Sequence, residues 1–327
     1  MQRRRILYYV YLLACVVLFT CTPAVKLLTN KTAATVFLFL ETGHILRPYT
    51  TPATVPPTTT PPETTLPAPP TTEATLPTEP PSIPAFSPAD AALVAVNSYC
   101  GYDADVKTWL AAPLSWKLQQ TVPTVLILHS HATEGYENAT GTNHRTQDTG
   151  ENMVSVGDAL AEHLTAAGIG VIHDRSLHDY PSYSDAYGNS RASAQKYLEK
   201  YPAIALILDL HRDSVEDSDG NQIKYTVETP TGTAAKMMFV VGTDASGLTH
   251  SKWSENMSLA VKLHAQLEKQ CPGICRPISF RTQRFNQDLS TGALLIEMGS
   301  AGNSRQEALL AAEYLARAIV DLANGTA

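Results

Sequence analysis

The run "AIALIL", Ala203 to Leu208, contains no polar residue, and it constrains the fold more than any other feature of the chain. A strand with one wet face alternates apolar and polar side chains. An unbroken apolar run is buried on both faces, as in a parallel sheet covered by helices. The pattern recurs in "VPTVLIL" from Val122, "IGVIHD" from Ile169, "AAKMMFVVG" from Ala234 and "GALLIEMGS" from Gly292. Segments with helical spacing separate these runs. "PADAALVAVNSYC" opens at Pro88, and "ENMVSVGDALAEHLTAAG" places Val154, Leu160 and Leu164 on one face before Gly168 ends it. "SRASAQKYLEKY", "SENMSLAVKLHAQLEKQ" with Ser254 as its cap, and "SRQEALLAAEYLARAIVDLANG" complete the set. Strands alternating with helices predict an α/β domain: a single open, largely parallel mixed sheet with helices on both faces.

That domain is expected over residues 88–327, about 240 residues and enough for one sizeable core. What precedes it is not globular. "ILYYVYLLACVVLFTCTPAV", Ile6 to Val25, is uncharged and of the roughly 20-residue length that crosses a bilayer. Arg3, Arg4 and Arg5 before it place the N-terminus in the cytoplasm and the rest of the chain outside. Residues 1–25 therefore read as a signal anchor. A cleaved signal peptide and lipid attachment at Cys15 or Cys21 are the other readings, and all three export the chain. Residues 26–47 form a juxtamembrane segment whose apolar run "TAATVFLFL" is too short to span. Residues 48–87, with "PPTTTPPETTLPAPPTTEATLP", read as a disordered, extended tether. The formal net charge of −7 gives no reason to expect a nucleic-acid partner.

Cys271 and Cys275 flank a turn-like "PGI" that allows a local disulfide, and no cysteine spacing marks a structural zinc site. The chain lacks a G-x-G-x-x-G after its first strand, a phosphate-binding loop and a nucleophile elbow. Cofactor dehydrogenases, kinases and serine hydrolases are poor candidates.

Three apolar strands instead run into ionisable residues: "LILHSHATE", "LILDLHRDS" and "LLIEMGS". A buried charge costs several kcal/mol unless it is paired or metal-bound, and three such ends in one sheet point to a site. Two histidines and one carboxylate with an open fourth position form a common catalytic zinc set. His131, Glu134 and His211 are the expected ligands. Glu151, at a helix start, competes with Glu134 for the third place, although an acid there suits the helix dipole without any metal. Alternation puts His129 on the same face as His131, where it reads as a supporting or core histidine. His264 falls on the apolar side of its helix and reads as packed. Glu297, inside an apolar strand, is the expected general base.

Read together, "LHSHATEGY", "HDYPSYSDAYGNSR", "LDLHRDS", "RFNQDLS" and "LLIEMGSAGNSRQEA" resemble the blocks of the stage II sporulation protein P family, in family order, from about Val122 to the end. The resemblance implies a zinc-dependent peptidoglycan hydrolase, similar in fold to N-acetylmuramoyl-L-alanine amidases, that also cleaves peptide cross-links. It implies a role in forespore engulfment beside stage II sporulation proteins D and M. His131 and His211 match the family's functional histidines, and Glu297 matches the glutamate of the last strand. Gly135 stands where serine is usual and Ser130 where threonine is common. On this reading Arg212 and the "FNQD" block, with Asn286 and Gln287, hold the peptide and sugar. The alternative is a non-catalytic exported scaffold that binds peptidoglycan.

Overall fold

The computed structural model describes residues 86–325, apart from 115–116, 119–121 and 140. The chain divides into two units, Met1–Thr75 and Leu76–Ala327, and the described residues all belong to the second. The membrane segment, the juxtamembrane run and nearly all of the Pro/Thr-rich spacer lie outside the described residues. Among those described, no helix is long and apolar enough to cross a membrane.

Seven strands form the main sheet: β1 (Val96–Ser98), β2 (Val125–Leu128), β3 (Val171–His173), β4 (Leu206–Asp213), β7 (Met237–Val241), β8 (Ile278–Phe280) and β9 (Gly292–Ser300). A separate hairpin pairs β5 (Thr226–Thr229) with β6 (Gly232–Ala235). The sheet order is β1-β8-β7-β9-β4-β2-β3. Every neighbouring pair is parallel except β7 and β9. The sheet is therefore two parallel blocks of opposite direction, joined at one antiparallel seam.

The unbroken apolar strands are buried on both faces. Val125 and Ile127 of β2 join the larger core, beneath α1 (Val106–Ala111), α2 (Met153–Ala166), α4 (Trp253–Gln270) and α5 (Arg305–Asn324). Leu126 and Leu128 point the other way, into a smaller core under α3 (Ala186–Lys200). β4 lies between β2 and β9 and is buried throughout. Each of its leucines contributes about 1.5–3 kcal/mol of burial.

The β4–β9 ladder slips at its far end: His211 opposes Glu297, but Asp213 opposes Ser300. The extra residue on β9 makes a bulge, a device that bends a strand and re-aims side chains beside sites. Gly299 permits it, with φ +86° and no room for a Cβ beside Ala235 and Asn303.

Two local expectations fail. The segment from Pro88 is a 3₁₀ helix only to Leu93, after which the chain becomes the edge strand β1. α4 begins at Trp253, with Lys252 rather than Ser254 at its cap position. Cys271 and Cys275, whose spacing left a local disulfide open, are not bridged to each other.

Candidate active site

The carboxyl ends of β2 and β4 lie side by side, so the residues that follow them meet. Asp209 accepts hydrogen bonds from the Ser130 backbone N–H at 2.7 Å and the Ser130 hydroxyl at 2.6 Å. This clamp fixes the second residue past β2 and so aims His131. Behind it, His129 Nδ1 donates to the Leu210 carbonyl at 3.1 Å, and its Nε2 meets His173 Nε2 at 2.8 Å. Burial, reinforced by His173, pushes His129 down to about 3, so its ring is neutral.

His131 and His211 are buried with their rings edge to face, 5.3 Å between centroids. His131 Nδ1 has no hydrogen-bond partner. His211 lies between two carboxylates: Glu134 Oε2 is 3.5 Å from its Nδ1 and Asp209 Oδ1 is 2.9 Å from its Nε2. The second contact is close but off line, and Nε2 makes no hydrogen bond. Burial pushes His131 well below its ordinary value. For His211, burial pulls the same way, but Asp209 and Glu134 outweigh it and hold the ring well above its ordinary value. Glu134 is held anionic: burial opposes this, but His211, Arg212 and Arg145 together win.

Glu134 is also heavily engaged. Its Oε1 accepts from Arg145 at 3.0 Å and its Oε2 from the Arg212 backbone N–H at 3.1 Å. Arg145 in turn donates to Thr133 and, at 2.8 Å, to Asp179. Tyr183 stacks flat on His131 at 4.2 Å and also carries the Arg145 guanidinium at 4.4 Å. Tyr187 lies nearly parallel to His211 at 6.3 Å. These two rings wall the histidines from solvent.

Glu297 faces His211 across the β4–β9 register. Its Oε2 is buried and unpartnered, and burial, aided by Asp213, holds the carboxyl well above its usual range. His131, Glu134, His211 and Glu297 thus lie at the same end of neighbouring strands.

The expected substrate-binding residues are engaged with the scaffold. Arg212 donates to the carbonyls of Gly135 at 2.8 Å and His144 at 3.1 Å, closing the 135–144 loop. Gln287 bridges Gly242 N and Val240 O, each at 2.8 Å. Asn286 donates to the Tyr187 carbonyl at 2.8 Å and latches α3 to the β8–β9 loop. Glu151 lies just before α2, whose first residue Met153 donates its N–H to the Glu134 carbonyl at 2.8 Å. Both rival carboxylate positions therefore flank the same corner. Tyr136 is buried, with its hydroxyl on the Met298 carbonyl. Gly135 has no room for a serine, because a Cβ would meet Ala139 at 2.7 Å.

Asp209, Arg145, Asp179, Tyr183 and Tyr187 escaped the reading of individual residues. Asp209 alone left a signal, a lone acid in a buried strand two residues before His211. The donor chemistry suits zinc: two buried imidazoles with unpartnered nitrogens beside anionic carboxylates. Among the described residues, no three His, Cys, Asp or Glu side chains stand close enough to hold an ion as they are. Binding one requires these side chains to draw together.

Fold and site together define a mixed α/β protein with a buried histidine–carboxylate centre at its strand ends. The stage II sporulation protein P family model matches residues 71–320, and the chain belongs to that family. It is 29% identical over 208 residues to stage II sporulation protein P of Bacillus subtilis (strain 168), covering 59% of this chain. The match spans 49%, about half, of that relative's length. Among solved structures it is similar to the N-acetylmuramoyl-L-alanine amidase AmiC2 of Nostoc punctiforme, at 14% identity and TM-score 0.38 over 60% of this chain and 95% of that one. An N-acetylmuramoyl-L-alanine amidase from Clostridium difficile 630 aligns at 15% identity and TM-score 0.39, over 62% and 94%.

Proposed function

We propose that this chain is a membrane-anchored, zinc-dependent peptidoglycan hydrolase. Its reaction is that of an N-acetylmuramoyl-L-alanine amidase with added endopeptidase action on cross-links. The observation that carries this reading is the pairing of His131 and His211, each with an unpartnered nitrogen, against the buried acid Glu297. His131, Glu134 and His211 would hold the zinc. The metal, when bound, supplies Lewis-acid polarisation of the scissile amide carbonyl.

The other steps belong to the chain's own side chains. Arg145 and the Arg212 N–H keep Glu134 anionic and fixed. Tyr183 and Tyr187 exclude bulk water from the two histidines, which strengthens every charge interaction inside. In its ionised form Glu297 takes a proton from the attacking water, for which burial raises its affinity, and returns it to the leaving amine. The anchor would hold the catalytic domain on the outer face of the membrane. Stage II sporulation proteins D and M are the proposed partners in engulfment.

Digestion of purified peptidoglycan by the full chain, with and without chelator, tests this. Release of stem peptides that stops on metal removal and returns with zinc is expected. Release that persists after complete metal removal would refute the mechanism. One observation favours a non-catalytic scaffold instead: no three ligand side chains among the described residues converge on an ion. Under that reading Glu297→Gln keeps full cellular function. Under ours it keeps zinc and substrate binding but loses turnover.

A further inference from the structure

The antiparallel seam gives this sheet two sets of carboxyl strand ends, at opposite ends of the strands. The candidate active site takes the ends of β2 and β4. The ends of β7, β8 and β1 form the second set, and carboxyl ends are where open α/β sheets bind ligands.

Three of the six large apolar side chains exposed among the described residues gather there: Tyr99 at 60%, Tyr102 at 37% and Leu248 at 48%. They are not scattered. Tyr99 directly follows β1 and donates its backbone N–H to Phe280 at the end of β8. Tyr102 binds Asp244, just past β7, through its hydroxyl at 2.8 Å. Leu248 sits on the same loop as Asp244, and that loop is tied to the β8 end by Ser246 N donating to Thr282 O.

The platform is rigid from behind. Tyr102 stacks on Trp253 at 5.2 Å, and Trp253 packs against Phe280 and Trp109. Rings already held in place lose little freedom when a ligand covers them. Polar groups of both signs stand beside them, Asp244 at Tyr102 and the Arg281 guanidinium 5.3 Å over the Tyr99 ring. Behind the loop, His250 is 1% exposed with no partner on either ring nitrogen, a hydrogen-bonding capacity the fold itself leaves unused.

This combination selects its ligand. One acid and one base at the patch favour neither a polyanion nor a polycation. An apolar patch rimmed by polar groups marks a binding surface. A neutral ring with an apolar C–H face and a hydroxyl edge satisfies the aromatic faces and the Asp244–Arg281 rim together. We propose that Tyr99, Tyr102, Leu248, Asp244 and Arg281 form a glycan-binding platform for a β-linked N-acetylhexosamine strand, remote from the reaction site. The choice of sugar rests on the peptidoglycan reading above; the platform itself does not. Two contacts on one polymer raise its effective concentration at the site without any new catalytic group.

The test uses the full chain in detergent and two probes. A β-1,4-N-acetylglucosamine hexamer carries no stem peptide and so no amide for the proposed hydrolase. A disaccharide–peptide is too short to span both sites. The parent should bind the hexamer in a titration, and Tyr99→Ala or Arg281→Ala should each weaken it about fivefold. Cleavage of the disaccharide–peptide should be unchanged in both, and so should the melting temperature. Failure of the parent to bind the hexamer, or equal binding by both variants, overturns the platform. Variants that lose self-association in ultracentrifugation yet bind the hexamer normally would assign the face to a second copy and also overturn it. Hexamer binding that depends on Tyr99, in a chain that cleaves nothing, keeps the platform and rejects the hydrolase.

Discussion

Gly157 and Gly188 are both helix residues, and they are there for different reasons. A Cβ on Gly157 would fall 2.5 Å from His129 Nε2 and nearer still to His173 Nε2, so α2 gives up a side chain where the two histidines meet. Around Gly188 nothing lies within 4 Å. Gly157→Ala should cost about 1–2 kcal/mol, overpacking outweighing the helix preference of alanine. Gly188→Ala should gain about 0.4–1 kcal/mol through a stiffer unfolded chain. Equal denaturant midpoints for the two variants would show that the histidine pair exerts no steric demand. The third ligand is decided at the same scale. Zinc affinity of Glu134→Ala should fall well beyond the roughly 10–100-fold of a supporting residue, and that of Glu151→Ala should not. The reverse order would exchange their roles and leave Glu134 as the carboxylate that orients His211. Glu297 supplies a pH signature. Its carboxyl is held above the ordinary glutamate value of about 4.5, so the folded chain keeps a proton that the unfolded chain releases above that pH. Stability therefore falls as pH rises from about 4.5 toward the folded value. Metal-free Glu297→Gln should melt higher than the parent at pH 7, and the difference should close below about pH 4.5. A constant offset across that range would mean that Glu297 is ionised in the fold.

Among the elements, α5 carries the clearest stop and start signals. Ser304 Oγ accepts from Glu307 N, Glu307 returns the bond to Ser304 N, and Gly325 closes the helix at φ +70°. Ser304→Ala should lower stability by about 1 kcal/mol in chemical denaturation, whereas an unchanged midpoint would show that packing alone positions α5. The same local signals explain what could be read in advance. β2, β4, β7 and β9 announce themselves because strands buried on both faces need unbroken apolar runs. β1 and β8 are three residues each and β1 is an exposed edge, too short for any period to show. α3 starts at Ala186, four residues before its apolar spacing becomes visible, because its first turn carries Tyr187 toward the site rather than an apolar stripe toward the core. At the site, His131, His211 and Glu297 were legible because ionisable groups on apolar strands demand a reason. Arg145 and Asp179 were not, since they come from loops and meet only through the tertiary fold. Arg212 was legible as important but not in its contacts, which depend on the 135–144 loop folding back on it.

For the whole molecule, the antiparallel seam was invisible because strand direction leaves no mark on composition. Yet the seam separates the candidate active site from the aromatic platform, and residues far apart in sequence close each of them. His131 follows β2, His211 lies on β4 and Glu297 on β9. An ion drawn between His131, Glu134 and His211 would tie the ends of two central strands together in the folded state only, because the unfolded chain holds those groups far apart. A ligand specific to the folded state stabilises it by mass action, about 2.7 kcal/mol at a concentration 100 times its Kd. For a domain of this size each kcal/mol is worth roughly 2–4 °C in Tm, so zinc should raise the melting temperature by about 5–10 °C. Chelator should reverse the shift, and His131→Ala or His211→Ala should abolish it. His211 is held protonated in the metal-free site by Asp209 and Glu134, so the ion must displace a proton and the stabilisation should shrink as pH falls. A Tm indifferent to zinc at pH 7 to 8, in a chain that is folded and has both histidines, would remove the metal from this site.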